Sequence, residues 1–236
     1  MCTSCNMTKQ DLNEKIFEMK PAAFLFDLNG TMIDDMGFHL EVWNEIVNVD
    51  YKAGITREEV KKNMYGKNED LLFRIFGKEK FTREQLDDIS IEKERRYQKL
   101  YRPHLDLISG LFDFLEKAKK HDIKMAIGSA AIPFNINFVL DNLNIRHYFG
   151  AIVSAEDVVK SKPDPETFTK GADILGIDYA SCVVFEDAPK GVEAARNAGM
   201  KCVVLTTMHE EKEFSDFDNV VMFVRDYTDR KLDALL

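Results

Sequence analysis

No apolar run in the 236-residue sequence approaches the roughly 18 residues of a membrane-spanning helix; the longest near the start is Ala22 to Phe26. The first twenty residues also lack the apolar stretch of a signal peptide, so a cytoplasmic protein is expected. Cysteine is scarce: four in the chain, too few for a disulfide framework. Cys2 and Cys5 form a CxxC, but no second CxxC or histidine cluster follows to complete a zinc site, and a solvated tail is the expectation there. Cys182 and Cys202 sit in apolar, strand-like runs and read as small core residues. Proline and glycine form no linker and no repeat, which excludes collagen-like and low-complexity classes. Basic charge is in deficit, with Lys+Arg 32 against Asp+Glu 41 and a net charge of −9. Such a chain repels a nucleic-acid backbone unless a local basic patch intervenes. Small phosphorylated ligands stay open, because a metal ion can dominate the field of a site.

What is present is the balance of a globular protein with a sizeable core: 45% hydrophobic and 31% charged residues. The length suits one large domain, or a core with a smaller companion. Short apolar runs read as buried parallel strands at Ala22 to Leu28, Ile123 to Ile127, Ala151 to Val153, Cys182 to Phe185 and Cys202 to Leu205. Val220 to Val224 reads as an edge strand. Helical patterns separate most of them, at Ile108 to Lys120, Pro133 to Leu143, Asp164-Pro165 to about Leu175 (with Asp164 as N-cap), and Pro189 to Ala198, which Gly199 stops. Strands alternating with helices imply an α/β fold, a parallel sheet with helices on both faces. From Met36 to Arg102 there is no strand signal. Thr56 with Glu59 and Thr82 with Gln85 read as capping boxes, Asn68 to Phe76 lies between them, and the charged run Ile91 to Tyr101 ends at Pro103. This stretch is read as an all-helical insertion in the α/β core.

The polar cargo falls at strand ends, where open α/β sheets bind ligands. The first strand ends in Asp27-Leu28-Asn29-Gly30-Thr31, and Asp27 closes a run too apolar to be solvated. The second ends in Gly128-Ser129-Ala130. Lys160-Ser161-Lys162-Pro163-Asp164-Pro165-Glu166 precedes a helix, and the next strand ends in Glu186-Asp187. A carboxylate can attack phosphorus and hold it as an acyl phosphate. Further carboxylates suit Mg²⁺, and a lysine with a hydroxyl can bind phosphate oxygens. Each residue alone has a blander reading: a turn residue, an N-cap, an exposed lysine. Their order argues against four such coincidences.

Asp27-x-Asn29-Gly30-Thr31, Ser129, Lys162-Pro163 and Glu186-Asp187 together resemble the haloacid-dehalogenase superfamily of phosphotransferases. The resemblance covers nearly the whole chain after about residue 21 and extends through Gly191 to Gly199. The helical insert resembles the cap of its β-phosphoglucomutase-like and sugar-phosphate phosphatase subgroup. The resemblance implies a Rossmann-like core at 21–35 and 103–236, a cap at 36–102, and a tail or helix at 1–20. It implies Mg²⁺ as cofactor, a small phosphorylated metabolite as substrate, no nucleic-acid or membrane partner, and a monomer. Residue by residue, Asp27 is the implied nucleophile and a metal ligand, with the Asn29 backbone carbonyl and Asp187 as further ligands. Glu186 is a ligand or a support for one. Ser129 and Lys162 are implied to bind the phosphoryl group, with the backbone N–H groups around Leu28 to Gly30 and of Ala130.

The family's usual residue at position 29 is an aspartate that exchanges a proton with the leaving and attacking oxygens, and an amide cannot do so. Three accounts remain open. Asn29 is a substitution that traps a complex; or it is natural, with His39 or Asp34 handling the proton; or the protein is a weakened enzyme or a non-catalytic binder of phosphorylated ligands. His39 resembles a histidine that assists the acid/base residue, its alternative being a partly buried helix histidine. Lys93 resembles a substrate-contacting lysine, its alternative being an exposed face of a charged helix. Lys67, in Tyr65-Gly66-Lys67-Asn68, resembles part of a specificity loop, although the mutases of the subgroup tend to carry an arginine after this glycine. A dehalogenase needs no Mg²⁺, so the Glu186-Asp187 pair argues against that relative.

Overall fold

The structure is a computed structural model that describes residues 20–236; Cys2, Cys5 and all but the last residue of the expected 1–20 tail lie outside the described residues. Strand β1 (Ala23–Phe26) is buried along its whole length, as an unbroken apolar run in a parallel sheet should be. Its side chains alternate between two cores. Phe24 and Phe26 enter one hydrophobic cluster, Ala23 and Leu25 the other. Phe24 stacks on Phe114 at 5.4 Å and Phe26 on Phe185 at 4.7 Å. Each such fully buried ring contributes roughly 1.5–3 kcal/mol through the area it removes from water.

From β1 to Tyr101 the described residues hold helices and no strand. These are α1 (Met36–Asn44), α2 (Arg57–Lys62), α3 (Asn68–Phe76) and α4 (Arg83–Tyr101), with a wider π-type turn at Glu45–Asp50 after α1. Both expected capping boxes are formed and open α2 and α4. The sheet is completed by β2 (Lys124–Gly128), β3 (Ala151–Val153), β4 (Cys182–Glu186), β5 (Lys201–Leu205) and β6 (Val220–Val224), in the order β3-β2-β1-β4-β5-β6. Every pairing is parallel, including that of the edge strand β6. Helices α5 (Leu111–Lys120) and α6 (Pro133–Asn142) pack into the Phe24 cluster. Helices α7 (Glu166–Leu175) and α8 (Pro189–Asn197) pack into the Leu25 cluster, so both faces are covered.

Two boundaries differ from expectation. β1 ends at Phe26 rather than Leu28, because the chain turns at once: Met32 N–H donates to Leu28 O at 2.9 Å. Pro165, not Asp164, holds the N-cap position of α7, while Asp164 Oδ1 accepts the Glu166 N–H at 3.1 Å. A proline has no N–H to satisfy, so it tolerates the boundary. Strand order reverses between β1 and β4, and such a reversal opens a crevice beyond the strand ends. Asp27 and Glu186 flank it. No helix among the described residues is long and apolar enough to cross a membrane.

Candidate active site

Asp27 follows β1 directly, and its N–H donates to Phe185 O at 2.9 Å, which fixes it at the seam with β4. Lys162 reaches in from the loop before α7. Its Nζ lies 2.6 Å from Asp27 Oδ1 and 2.8 Å from Glu186 Oε1, with 4.6 Å to the Phe168 ring centroid. Lys162 is thus buried, not the exposed lysine of the bland reading. Glu186 Oε2 accepts the N–H groups of Asp187 and Ala188, both at 2.8 Å, so both Glu186 oxygens are already engaged. Carboxylate oxygens of Asp27, Glu186 and Asp187 lie within 4.8 Å of one another.

Three buried carboxylates here share one ammonium. Burial, opposed by Lys162 and reinforced by Glu186, pushes Asp27 from 3.8 up to about 7. Burial, then the neighbouring Glu186 and Asp27, holds Asp187 well above the carboxylate range. Burial pulls on the Lys162 ammonium in the opposite sense, but Asp27 and Glu186 outweigh it and hold Lys162 above its usual value. Uncompensated negative charge on hard oxygen donors is the setting a divalent cation such as Mg²⁺ fits.

Two glycines make the cluster possible. Gly30 has φ +78°, and a Cβ there would sit 2.1 Å from Asp187 Oδ2. A Cβ on Gly191 would sit 1.7 Å from Glu186 Oε1. Gly30 N–H, one of the group from Leu28 to Gly30, is engaged within its own loop. That N–H donates to Ile33 O at 2.8 Å and to Asp35 Oδ1 at 3.2 Å, because the left-handed turn points it inward. Among the described residues the N–H groups of Leu28, Asn29 and Ala130 find no backbone acceptor. Ser129, after β2, is held by its N–H to Val153 O at 2.9 Å, and its Oγ accepts the Ala131 N–H at 3.1 Å.

A second polar cluster faces the first across the same cavity, which Asp27, Asn29, His39, Lys93, Ser129 and Lys162 all line. His39 stacks on Tyr97 with centroids 3.9 Å apart and planes 7° from parallel. Its Nδ1 meets Lys93 Nζ at 2.7 Å. Lys93 is buried, not on an exposed face, and donates to Glu94 Oε1 at 2.9 Å. Asn68 Nδ2 donates to the same oxygen at 3.1 Å. Lys67 lines the cavity, but its Nζ donates to Val158 O at 2.7 Å. Asp34, one candidate for the missing proton, is exposed and lines a separate surface pocket with Tyr101, His104 and Asp106. The neighbour that turns inward is Asp35, which the sequence reading passed over together with Tyr97, Glu94 and Asn68. The four-residue spacing from Asp35 to His39, one helical turn, was the available signal.

The model for the family described as haloacid dehalogenase-like hydrolase matches residues 24–205. A β-phosphoglucomutase of Bacillus subtilis is 31% identical over 195 residues, covering 77% of this chain and 81% of the relative. The fructose-1-phosphate phosphatase YqaB of Escherichia coli is 30% identical over 191 residues, covering 77% of this chain and 95% of the relative. The crystal structure of a haloacid-dehalogenase hydrolase of family IA, variant 3, from Entamoeba histolytica superposes with a TM-score of 0.81 at 24% identity, over 92% of this chain and 97% of that one.

Proposed function

Because the chain belongs to the haloacid dehalogenase-like hydrolase family, we propose that it is a Mg²⁺-dependent phosphotransferase that acts on a small sugar phosphate through an aspartyl phosphate on Asp27. The observation that carries this reading is Asp27 itself: a buried carboxylate at the cavity floor, paired with Lys162 and flanked by Glu186 and Asp187. Asp27, Asp187 and the Asn29 backbone carbonyl would hold the cation, with Glu186 supporting the set through Lys162 and two backbone N–H groups. Bound there, Mg²⁺ would neutralise phosphate charge and orient the phosphoryl group.

In the first half-reaction an Asp27 oxygen bonds to phosphorus, the bond from phosphorus to the sugar oxygen breaks, and that oxygen leaves with a proton. In the second, an acceptor oxygen attacks phosphorus, the Asp27 carboxylate is released, and the acceptor gives up its proton. Water as acceptor makes a phosphatase; a second sugar hydroxyl makes a mutase. Lys162, Ser129 and the N–H groups of Asn29 and Ala130 would bind the phosphate oxygens. Asn29 cannot exchange the proton, and His39 takes that role: its Nε2 proton passes from the hydrogen bond with Asp35 to the leaving oxygen as Nδ1 receives one from Lys93 Nζ, and the second half-reaction reverses both transfers. Residues 36–102 serve as the cap, tied down by Lys67 Nζ on Val158 O and by Ser161 Oγ, which donates to Asp70 Oδ2 at 2.8 Å. Such a cap excludes water from the reacting groups and opens for exchange.

The test is a panel of fructose 1-phosphate, β-glucose 1-phosphate and p-nitrophenyl phosphate. With Mg²⁺, phosphate release or conversion of β-glucose 1-phosphate to glucose 6-phosphate is expected, and chelation with EDTA removes it. Thermal stabilisation by these compounds without turnover would favour the non-catalytic binder instead.

The sugar half of the substrate is read from Glu94. Its Oε2 is buried with no hydrogen-bond partner, in a residue that lines the cavity. An unmet buried acceptor costs about 1–3 kcal/mol, which a substrate hydroxyl would recover. Glu94→Gln is expected to raise KM for fructose 1-phosphate by about tenfold while KM for p-nitrophenyl phosphate, which has no hydroxyl to donate, changes by less than about twofold. Equal changes for both compounds would remove Glu94 from sugar recognition.

A further inference from the structure

One buried carboxylate beside the cavity is assigned neither to the phosphoryl group nor to the cation. Asp35 holds the N-cap position of α1, yet its side chain makes no capping hydrogen bond. It is wholly inaccessible to solvent and turns back toward the loop after β1. Its Oδ2 accepts from Asn29 Nδ2 at 2.6 Å and from the Tyr97 hydroxyl at 2.5 Å, and lies 3.0 Å from His39 Nε2. Its Oδ1 accepts the Gly30 N–H.

The pattern of donors is informative. A lysine ammonium donates and cannot accept, so its contact makes His39 Nδ1 the acceptor and puts a ring hydrogen on Nε2, against Asp35; Asn29 Nδ2, 3.0 Å from that nitrogen, gives its own hydrogen to the same carboxylate. Asn29 Nδ2, Tyr97 OH and Gly30 N–H are donors too. A carboxylate met by donors alone is bound as the anion. With its nitrogen held by Asp35, Asn29 has its amide oxygen left for the cavity, where it can accept the second hydrogen of an attacking water or a substrate hydroxyl beside the reacting one.

We propose that Asp35 is a positioning residue for the phosphoryl-transfer site: it fixes the Asn29 amide oxygen and the His39 ring toward the cavity, and it makes an amide, not a carboxylate, the residue required at position 29. The inference rests on the proposed phosphotransferase reading. An aspartate at 29 would put an oxygen where Nδ2 now lies, 2.6 Å from Asp35 Oδ2. Two carboxylates at that separation do not both ionise in a buried site. The side chain at 29 would rotate away or lock onto Asp35 through a shared proton, and either outcome displaces the acceptor and disturbs His39.

The experiment is a four-form cycle: wild type, Asn29→Asp, Asp35→Asn, and the double variant that exchanges the two side chains. The readouts are kcat and KM for Mg²⁺-supported phosphate release from p-nitrophenyl phosphate, with thermal melting for each form. Each single change is expected to lower kcat by about 100-fold with KM within about threefold, the cost of a misplaced reacting group. The exchange variant is expected to recover kcat to within about tenfold of wild type, because it restores one charge and one amide. A purely structural Asp35 would lower the melting temperature and show no such reciprocal rescue. Wild-type kcat or better in Asn29→Asp, or losses that simply add in the double variant, would overturn the proposal. Should Asp35→Asn fail to fold, Asn29→Asp and the exchange variant decide it alone. Asp27→Asn is run alongside: a wild type no faster than that control would overturn the phosphotransferase reading itself, a distinct result from retained Asp27-dependent turnover without the cycle.

Discussion

Asp27→Asn is expected to lower kcat for phosphate release by about 10⁴-fold or more, in a protein that still folds. The substitution keeps shape and keeps an oxygen that can accept from Lys162, which now lies 2.6 Å from Asp27 Oδ1. It removes the one carboxylate placed to bond to phosphorus, and no amide forms an acyl phosphate in its stead. Stability does not follow activity down. Burial holds the Asp27 carboxyl at about 7 in the fold against 3.8 for the free group, with Lys162 only partly offsetting it. The folded state therefore binds the proton more tightly than the unfolded chain. Stability from this group is present below 3.8 and is lost as the pH rises to about 7. Measured without Mg²⁺, Asp27→Asn should accordingly gain in melting temperature on wild type across that interval. Turnover close to wild type would mean that another residue attacks phosphorus.

Lys162→Met is expected to cost both activity and fold. The methionine fills the space over Phe168 but leaves Asp27, Glu186 and Asp187 buried together with no ammonium among them. Removing one partner of a buried ion pair costs about 3–5 kcal/mol, or about 10 °C in melting temperature for a chain of this size. The contrast with Asp27→Asn is the informative part. Both substitutions abolish phosphate release, but only the lysine change lowers the melting temperature steeply. An unchanged melting temperature in Lys162→Met would show that the carboxylates take up protons and do not depend on the ammonium.

Much of this was legible in the chain itself. Apolar runs separated by helical patterns specify parallel strands, and right-handed crossovers bring all their carboxyl ends to one rim. Asp27, Ser129, Lys162 and Glu186-Asp187 converge for that reason, although more than 130 residues separate Asp27 from Lys162. Long-range contacts within the helical insert were less legible. Lys93 lies in Glu92-Lys93-Glu94-Arg95, a run that reads as solvated. It is buried because α4 packs on α1, which brings His39, 54 positions earlier, against its ammonium. Between Asp34 and Asp35 the sequence offers no choice. The turn after Gly30, closed by its N–H to Ile33 O, sets Asp35 inward and leaves Asp34 exposed. The same turn directs the Gly30 N–H to Ile33 O and Asp35 Oδ1.

The central claim is that a phosphoryl group passes through Asp27. The direct measurement is a rapid acid quench of the wild-type protein during turnover of a radiolabelled phosphate ester with Mg²⁺, followed by peptide mapping. The account predicts label on the peptide that carries Asp27, chased by excess unlabelled ester and absent from Asp27→Asn. Label on another residue, or steady turnover with no labelled protein at any quench time, would contradict it.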